Sequence, residues 1–550
     1  MSKLKSRILA ASCFAAVGSL GFVADALAAS SDIYGGGSSL VAPYLRQAMD
    51  CYGQPIDLIF KGTPPTFQTV TPFDYTGTPA QDCSTTHTTT KTLHYISTGS
   101  GTGIAGIFSH DPTKYGFVDA GQTQYYPEVH YGVSDAGLAA ADVGIYNGGG
   151  TEQGVTVVAP GVTATPPQYP NPAQLYGPMI QFPLSIDPVA ITYDPVYKKV
   201  YNGDGSVTSY RFHIKTPRAD GSGGLHLDAA TYCKIFTGQI TNWNDPALKA
   251  LNGNASLKDP ADTSAFSVPL QIVGRSDSSG TTSIFTRHLA AVCGSPDYVD
   301  GNTTLPSALT GAGVYDKTQD NTPAPGEVAG KYTVAAGSDG ISKYVAFTRT
   351  PDSITTTIIQ GRVGYVGPDY ALPAVLSTNT NSYGLNTASL KNVQGAFVAP
   401  TAAAAVKSFG AISPPQSDAS GHYDSSVTAN GLRANPQDWV QGLSHTSVLA
   451  NPPTTGAYPI VGTTNFIGYT CYKTSAQKAT LTGFLGAFYG TAIYTDQKKG
   501  ILASAGLAPL PTAWHQAIKE TFVNNSSGLG LNISLKGSGA ACSVSGIVGG

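Results

Sequence analysis

The sequence predicts an exported α/β protein, and three observations carry that prediction. Short β-rich runs alternate with amphipathic stretches along most of the chain. Three glycine- and hydroxyl-rich turns each stand where a helix begins, two of them directly after a strand-like run. The first thirty residues have the make-up of an export leader.

In that leader, Lys3, Lys5 and Arg7 precede an apolar stretch over 8–23, and Ala26-Leu27-Ala28 precedes Ala29. A charged head, an apolar run and small residues before the cut form a secretory signal peptide, here 1–28, cleaved after Ala28. Cys13 lies too close to Arg7 for a lipoprotein leader. No later stretch approaches the roughly eighteen consecutive apolar residues that a membrane-spanning helix needs.

Composition narrows the class of protein. Of 550 residues, 41% are hydrophobic and 12% charged, with 64 glycines and 37 prolines, enough apolar material for a sizeable core and more than one domain. Collagen-like, coiled-coil and disordered classes are excluded. The 31 basic and 34 acidic residues give a net charge of -3 without a run of either sign, which argues against nucleic acid or a polybasic membrane patch as partner.

Six cysteines lie beyond the leader: Cys51, Cys83, Cys233, Cys293, Cys471 and Cys542. In an oxidising compartment an even number implies disulfides, with fifteen connectivities open. No CxxC or HExxH occurs and the ten histidines are scattered, so a metal centre has no support.

Strand-like runs at 180–182 and 189–193 and amphipathic stretches at 40–51, 281–293 and 476–489 supply the alternation. Polar Gly/Pro/Thr-rich segments at 62–91, 147–178 and 409–456 interrupt it and are expected to be long surface insertions. There is no repeat of fixed period.

The three turns concentrate the chemistry. Tyr34 to Leu40 reads YGGGSSL and leads into a helix, Thr98 to Gly103 reads TGSGTG after the run 93–97, and Gly274 to Thr282 reads GRSDSSGTT after the run 270–273. Hydroxyls and glycines at a helix start expose unpaired N–H groups at the positive end of the helix dipole, which suits an anion. Ser and Thr are also the ordinary caps of any helix. The third turn is more specific, because Arg275 can give two parallel N–H bonds to an oxyanion while Asp277 holds its guanidinium; a surface ion pair is the plainer alternative.

These residues resemble the PstS-type periplasmic phosphate-binding proteins of ABC transporters, most closely their DING subgroup. Asp32-Ile33-Tyr34-Gly35-Gly36-Gly37 is similar to the subgroup's Asp-Ile-Asn-Gly-Gly-Gly, with Tyr for Asn. Ser97 to Gly103 is similar to the family's second phosphate loop, Tyr232 to Trp243 to its F-x-G-x-I-x-x-W segment, and Arg275 to Thr281 to its R-x-[DE]-x-S-G-T loop. Gly337 to Ile341, Gly361 to Val366, Tyr458 to Ile460 and Leu507 to Pro511 follow in family order.

The resemblance implies a two-domain Venus-flytrap fold with a hinge and long loop insertions, closing on one phosphate. Domain I would be 29–185 plus 460–550 and domain II 186–459, with the chain crossing near 183–191 and returning near 458–470. The implied ligands are Ser39, Leu40 through its N–H, Ser100, Arg275, Ser279, Gly280 and Thr281, backed by Asp277. An aspartate eighteen to twenty residues after the second-loop serine completes the family set; Asp119, nineteen after Ser100, is the expected one and Asp111 its rival. The resemblance also supports pairing Cys233 with Cys293 and Cys471 with Cys542.

That aspartate would confer selectivity. Phosphate near neutral pH carries a proton that a buried carboxylate can accept; sulfate has none and would leave the carboxylate unpaired. The expected ligand is inorganic phosphate and the expected partner an inner-membrane ABC phosphate permease, with no cofactor, no nucleic acid and a monomeric state. The expected location is the periplasm, or outside the cell.

Two other functions stay open on the residues. Gly101 to Gly106 satisfies G-x-G-x-x-G, as in a dinucleotide-binding enzyme, with Glu128 roughly twenty residues beyond it. An exported phosphatase or serine hydrolase would use Ser100 or Ser279 as nucleophile, although neither stands in G-x-S-x-G. Phe117, Tyr125, Tyr126 and Tyr131 could line a wider ligand, though aromatic clusters are usually core.

Overall fold

The computed structural model describes residues 31–54, 91–118, 123–215, 224–265, 268–294, 332–346, 356–371, 383–444, 448–497 and 500–550, with residue 89 and short strands between 58 and 82. Residues 1–30, with the expected leader and Cys13, and also Cys83 and most of 62–91, therefore lie outside the described residues. Among the described residues, no helix is long and apolar enough to cross a membrane.

Residues 31–550 form one compact unit built on two sheets. The first sheet takes β1 (Ile33–Gly37), β2 (Leu93–Ser97), β3 (Tyr131–Ser134) and β4 (Met179–Pro188) from the first part of the chain, and a late strand, Val461–Tyr469. The second takes β5 (Ala190–Tyr193), β6 (Leu225–Leu227), β7 (Gln271–Arg275), β8 (Tyr332–Ala335), β9 (Arg362–Val366) and β10 (Asn386–Lys391), so the late strand is β11. Strand order is β4-β11-β3-β1-β2 in the first sheet and β6-β10-β5-β9-β7-β8 in the second, where Phe397–Val398 pairs beside β10.

Connection type follows from these orders. β1 runs parallel to both β2 and β3, and β7 parallel to both β8 and β9. Parallel neighbours require crossovers, and helices supply them: α1 (Ala42–Tyr52) follows β1, α2 (Ser100–Ser109) follows β2 and, after α3 (Ala229–Phe236), α4 (Gly280–Cys293) follows β7. Each helix N-terminus thus opens at the carboxyl end of a parallel strand, where ligands of open α/β sheets bind. α5 (Gly337–Val345) repeats the arrangement after β8, and α6 (Ser475–Phe488) packs on α1.

Only Val189 separates β4 from β5, so the chain passes straight from the first sheet into the second. It returns beside that crossing: the Val189 N–H donates to the Ile460 carbonyl at 2.9 Å, and the Tyr458 hydroxyl to the Val189 carbonyl at 3.1 Å. β4 and β11 pair antiparallel along their length, with an irregularity between Pro183 and Ser185. That is where a proline without an N–H can sit at a sheet edge.

Disulfides tie Cys233 of α3 to Cys293 of α4 and Cys471 to Cys542, with Cα separations of 5.5 and 5.4 Å. Cys51 is also disulfide-bonded. The expected insertions differ in character. Segment 147–178 holds a hairpin, Gly150–Glu152 with Val155–Val157, whose Thr151 is exposed. Segment 409–456 was expected at the surface, yet Arg433 and Trp439 within it are wholly buried. Trp439 packs 4.7 Å from Phe522, and Arg433 bonds Glu520 at 3.1 Å and the carbonyls of Pro415 and Gly421. Its prolines and glycines mark turns, but one indole and one guanidinium carry the stretch into the core.

Candidate functional site: a hydroxyl-ringed carboxylate opposite an arginine

Four strand ends meet where the two sheets face each other. From the first sheet come Ser38-Ser39-Leu40 after β1, Gly99-Ser100 after β2 and Asp135 after β3; from the second comes Arg275 to Thr281 after β7. All but Ser276, Asp277 and Ser278 of the last loop are buried.

Asp135 is the centre. Its Oδ1 accepts from Ser38 Oγ at 2.5 Å and Thr464 Oγ1 at 2.7 Å, and its Oδ2 from Thr281 Oγ1 at 3.2 Å and Ser100 Oγ at 3.4 Å. Its own N–H donates to Ser100 Oγ at 3.2 Å. Ser38, Ser100 and Thr464 belong to first-sheet elements and Thr281 to α4, so this carboxylate bridges the two. Burial raises its pKa, against the hydroxyls and the Arg275 charge, which favour the ionised form.

Arg275 and Asp277 form the opposing half. Arg275 Nε donates to Asp277 Oδ1 at 2.7 Å and Nη2 to Oδ2 at 2.5 Å, a two-point fork, while Nη1 reaches Thr281 Oγ1 at 3.4 Å. The Gly337 N–H at the start of α5 donates to Asp277 Oδ1 at 3.1 Å. Burial alone would raise the Asp277 pKa, but the Arg275 charge and these hydrogen bonds outweigh it and hold the carboxyl below its ordinary value. Thr281 therefore links the guanidinium to Asp135.

The other expected residues lie beside these loops with different duties. Ser39 Oγ accepts from the Ser338 N–H at 3.0 Å, joining the β1 loop to α5. The Leu40 N–H meets Ser38 Oγ at 3.1 Å. Ser279 caps α4 by accepting from the Thr282 N–H at 3.1 Å. Gly280 is needed for close approach: a Cβ there would lie 2.5 Å from Ser100 Oγ, 2.6 Å from the Ala136 nitrogen and 2.8 Å from Asp135 Cβ. Gly99 takes a φ of 99° beside Asp277, where a side chain would be strained and would crowd Asp277 Oδ2.

The carboxylate that the loops surround is one the sequence reading did not name. Asp119 lies outside the described residues. Asp111, its rival, accepts from the Thr113 N–H at 2.9 Å and from the Tyr169 hydroxyl at 2.9 Å, capping the turn Pro112–Tyr115. Ser38, Thr464 and Ser338 were missed along with Asp135. The pair Ser134-Asp135, at the end of β3, is the signal that could have found it.

The competing readings meet local geometry. In the G-x-G-x-x-G run, a Cβ at Gly103 would strike the Val133 carbonyl at 2.5 Å, and one at Gly106 the Tyr115 ring at 2.6 Å. Those glycines let α2 lie close on β3 and on Tyr115. Glu128 binds His130, Lys473 and Gln477 instead of closing a ribose site. Ser100 faces a carboxylate and Ser279 a backbone N–H; among the described residues no histidine bonds either. Tyr126 and Tyr131 are buried core, and Phe117 stacks on the 40%-exposed Tyr125.

Chemically, the site offers several hydroxyls and helix N-termini around the Asp135 carboxylate, with one guanidinium held by a second carboxylate, Asp277. That combination can hold a tetrahedral oxyanion, provided the anion brings a proton for the carboxylate to accept.

Comparison with known proteins gives a consistent picture. The family described as the PBP superfamily domain matches residues 24–489. A curated phosphate-binding protein from an unknown prokaryotic organism is 26% identical over 446 residues, spanning 80% of this chain and 90% of that protein. Alkaline phosphatase L of Pseudomonas aeruginosa is 27% identical over 440 residues, spanning 79% and 84%. Among solved structures, the phosphate-bound periplasmic phosphate-binding protein PfluDING superposes with a TM-score of 0.54 at 22% identity, covering 91% of this chain and 96% of its own, and therefore shares the fold.

Proposed function

The chain belongs to the PBP superfamily, and on that premise we propose that it captures inorganic phosphate between its two domains, as an exported binding protein serving ABC-transporter uptake. The observation that carries the reading is Asp135, a wholly buried carboxylate ringed by four hydroxyls and linked through Thr281 to Arg275.

In this reading the hydroxyls of Ser38, Ser100 and Thr281, with the N–H groups at the starts of α1, α2 and α4, turn to the phosphate oxygens. Arg275 supplies the charge, and its fork to Asp277 fixes the guanidinium's orientation, leaving Nη1 for the anion. Asp135 accepts the proton that phosphate retains and sulfate lacks. Ser39, Leu40, Ser279 and Gly280 complete the wall. Domain I is 29–185 plus 460–550 and domain II 186–459, hinged at the paired crossings by Val189 and Ile460. The leader 1–28 sends the chain to the periplasm or beyond, where an inner-membrane permease would take the phosphate from it.

Alkaline phosphatase L among the relatives keeps hydrolysis as the second reading. Ser100 shares Asp135 with the hydroxyls of Ser38, Thr464 and Thr281, and among the described residues no histidine bonds Ser100 or Ser279, so the serine–histidine pair of a hydrolase is missing there. The test is to load the purified protein with labelled inorganic phosphate, desalt it, and count retained label while assaying a chromogenic phosphate ester on the same sample. Retained label near one per chain with no turnover supports capture; turnover with no retained label overturns it.

A further inference from the structure

One buried acid near the site is not among the phosphate ligands of this reading. Asp369 lies in the helical turn Pro368–Ala371 directly after β9, fully buried, and among the described residues neither of its carboxyl oxygens has a hydrogen-bond partner. Its turn meets the first sheet: at Gly367 a Cβ would stand 2.8 Å from the Leu40 carbonyl oxygen and 2.4 Å from Asp369 Oδ1. The contact therefore crosses from the second sheet to the loop that begins α1.

The charges around it are of its own sign. Asp187 at the end of β4 and Asp135 after β3 both disfavour its ionised form. From α5, Asp339 bonds Tyr383 and the Lys343 side chain is exposed; Tyr193 of β5 and Tyr44 of α1 are buried and neutral; Lys391 of β10 is exposed. Arg275, the nearest cation of the site, is occupied by Asp277. A fully buried ionised carboxylate with neither partner nor counter-ion among the described residues is so costly that such a group takes up a proton instead. Burial accordingly pushes the Asp369 carboxyl well above the usual carboxylate range and Asp187 adds to that, outweighing the nearby N–H groups of Asp369 itself and of Tyr370, which favour the charged form.

We propose that Asp369 carries a proton in the closed cleft and loses it to water when the Leu40–Gly367 contact opens, so that capture of phosphate takes up a proton. This regulation rests on the phosphate-binding reading and on closure by domain movement. The sign comes from linkage: the closed form binds more protons than the open one, so affinity falls as pH rises from the open-state carboxylate range to the higher closed-state value. An alkaline medium releases phosphate and an acidic one holds it.

Calorimetric phosphate titrations of the wild type and of Asp369→Asn, each in two buffers of different ionisation heat between pH 5.5 and 8, read both the affinity and the protons taken up. Asparagine keeps the shape of the neutral acid, and leaves Asp135 and the titration of phosphate itself unchanged. The expected result is about one proton fewer taken up by the variant, with the wild-type Kd rising relative to the variant's by about tenfold per pH unit. Equal proton counts and a constant ratio of Kd values would overturn the proposal while leaving phosphate binding intact. Should the wild type bind no phosphate, the functional reading fails separately, and infrared difference spectra of ligand-free wild type against Asp369→Asn, or Asp369→Ser if the first variant does not fold, still decide: a protonated-carboxyl band lost in the variant supports the buried acid, and no such band overturns it.

Discussion

Ser100 and Asp135, thirty-five residues apart in sequence, hold each other twice: the serine hydroxyl donates to the carboxylate at 3.4 Å and accepts from the aspartate N–H at 3.2 Å. The start of α2 is thereby fixed against the end of β3, and both face the arginine loop. Asp135→Asn should weaken phosphate binding by about 1–3 kcal/mol, because a carboxylate that accepts the ligand's proton becomes an amide. The same variant should gain relative affinity for sulfate. Paired titrations with the two anions check both effects; an unchanged preference would remove Asp135 from the selectivity role.

Gly280 tests whether the two halves of the site must touch. A methyl group there meets Ser100 Oγ, the Ala136 nitrogen and Asp135 Cβ at 2.5, 2.6 and 2.8 Å. Gly280→Ala should cost phosphate affinity by about 1–3 kcal/mol of overpacking while α4 still forms, since alanine is a better helix residue than glycine. Circular dichroism and a phosphate titration on one sample separate the two effects.

Arg275 and Asp277 form a fork that lysine cannot reproduce. Arg275→Lys keeps the charge but loses the two-point geometry, and should weaken phosphate binding by about 1.5–3 kcal/mol, on the scale of a hydrogen bond to a charged group. Equal affinity in the lysine variant would show that charge alone suffices.

What could be read in the sequence depends on what each residue does. The three turns were readable because the same glycine and hydroxyl pattern recurs at three helix starts, more than ordinary capping asks of any one of them, and Arg275 and Asp277 because their spacing allows a fork. Asp135 was missed because its distance from Ser100 depends on the length of chain between α2 and β3; the turn Pro112–Tyr115 and the residues up to Val129 displace it well beyond the expected interval. Ser38 stands in the first turn but was passed over for Ser39, which the family resemblance put in the ligand place, and Thr464 was missed because a lone hydroxyl carries no signal until the carboxylate it serves is placed. Trp439 and Arg433 show the same limit in the fold: polar composition marks turns, but burial of a few side chains depends on partners far along the chain, such as Phe522 and Glu520.

Acid stability should track Glu128. Its hydrogen bond to His130 chiefly, opposed by burial and aided by Lys473, holds this carboxyl at about 2 instead of the ordinary 4.5. A lowered folded-state pKa gives stability that is fully present above about 4.5 and lost as pH falls towards 2. Glu128→Gln should therefore unfold at lower urea concentration than wild type at pH 7, and the gap should narrow by pH 3. A gap that widens in acid would contradict the assignment.

Selection of a protonated tetrahedral oxyanion rests on Asp135 and Arg275 acting together. Calorimetric titration of the phosphate-stripped mature protein with phosphate and then with sulfate at neutral pH decides it. One-to-one phosphate binding with sulfate silent is the expected result; sulfate binding as tight as phosphate, or no binding of either anion, would contradict it.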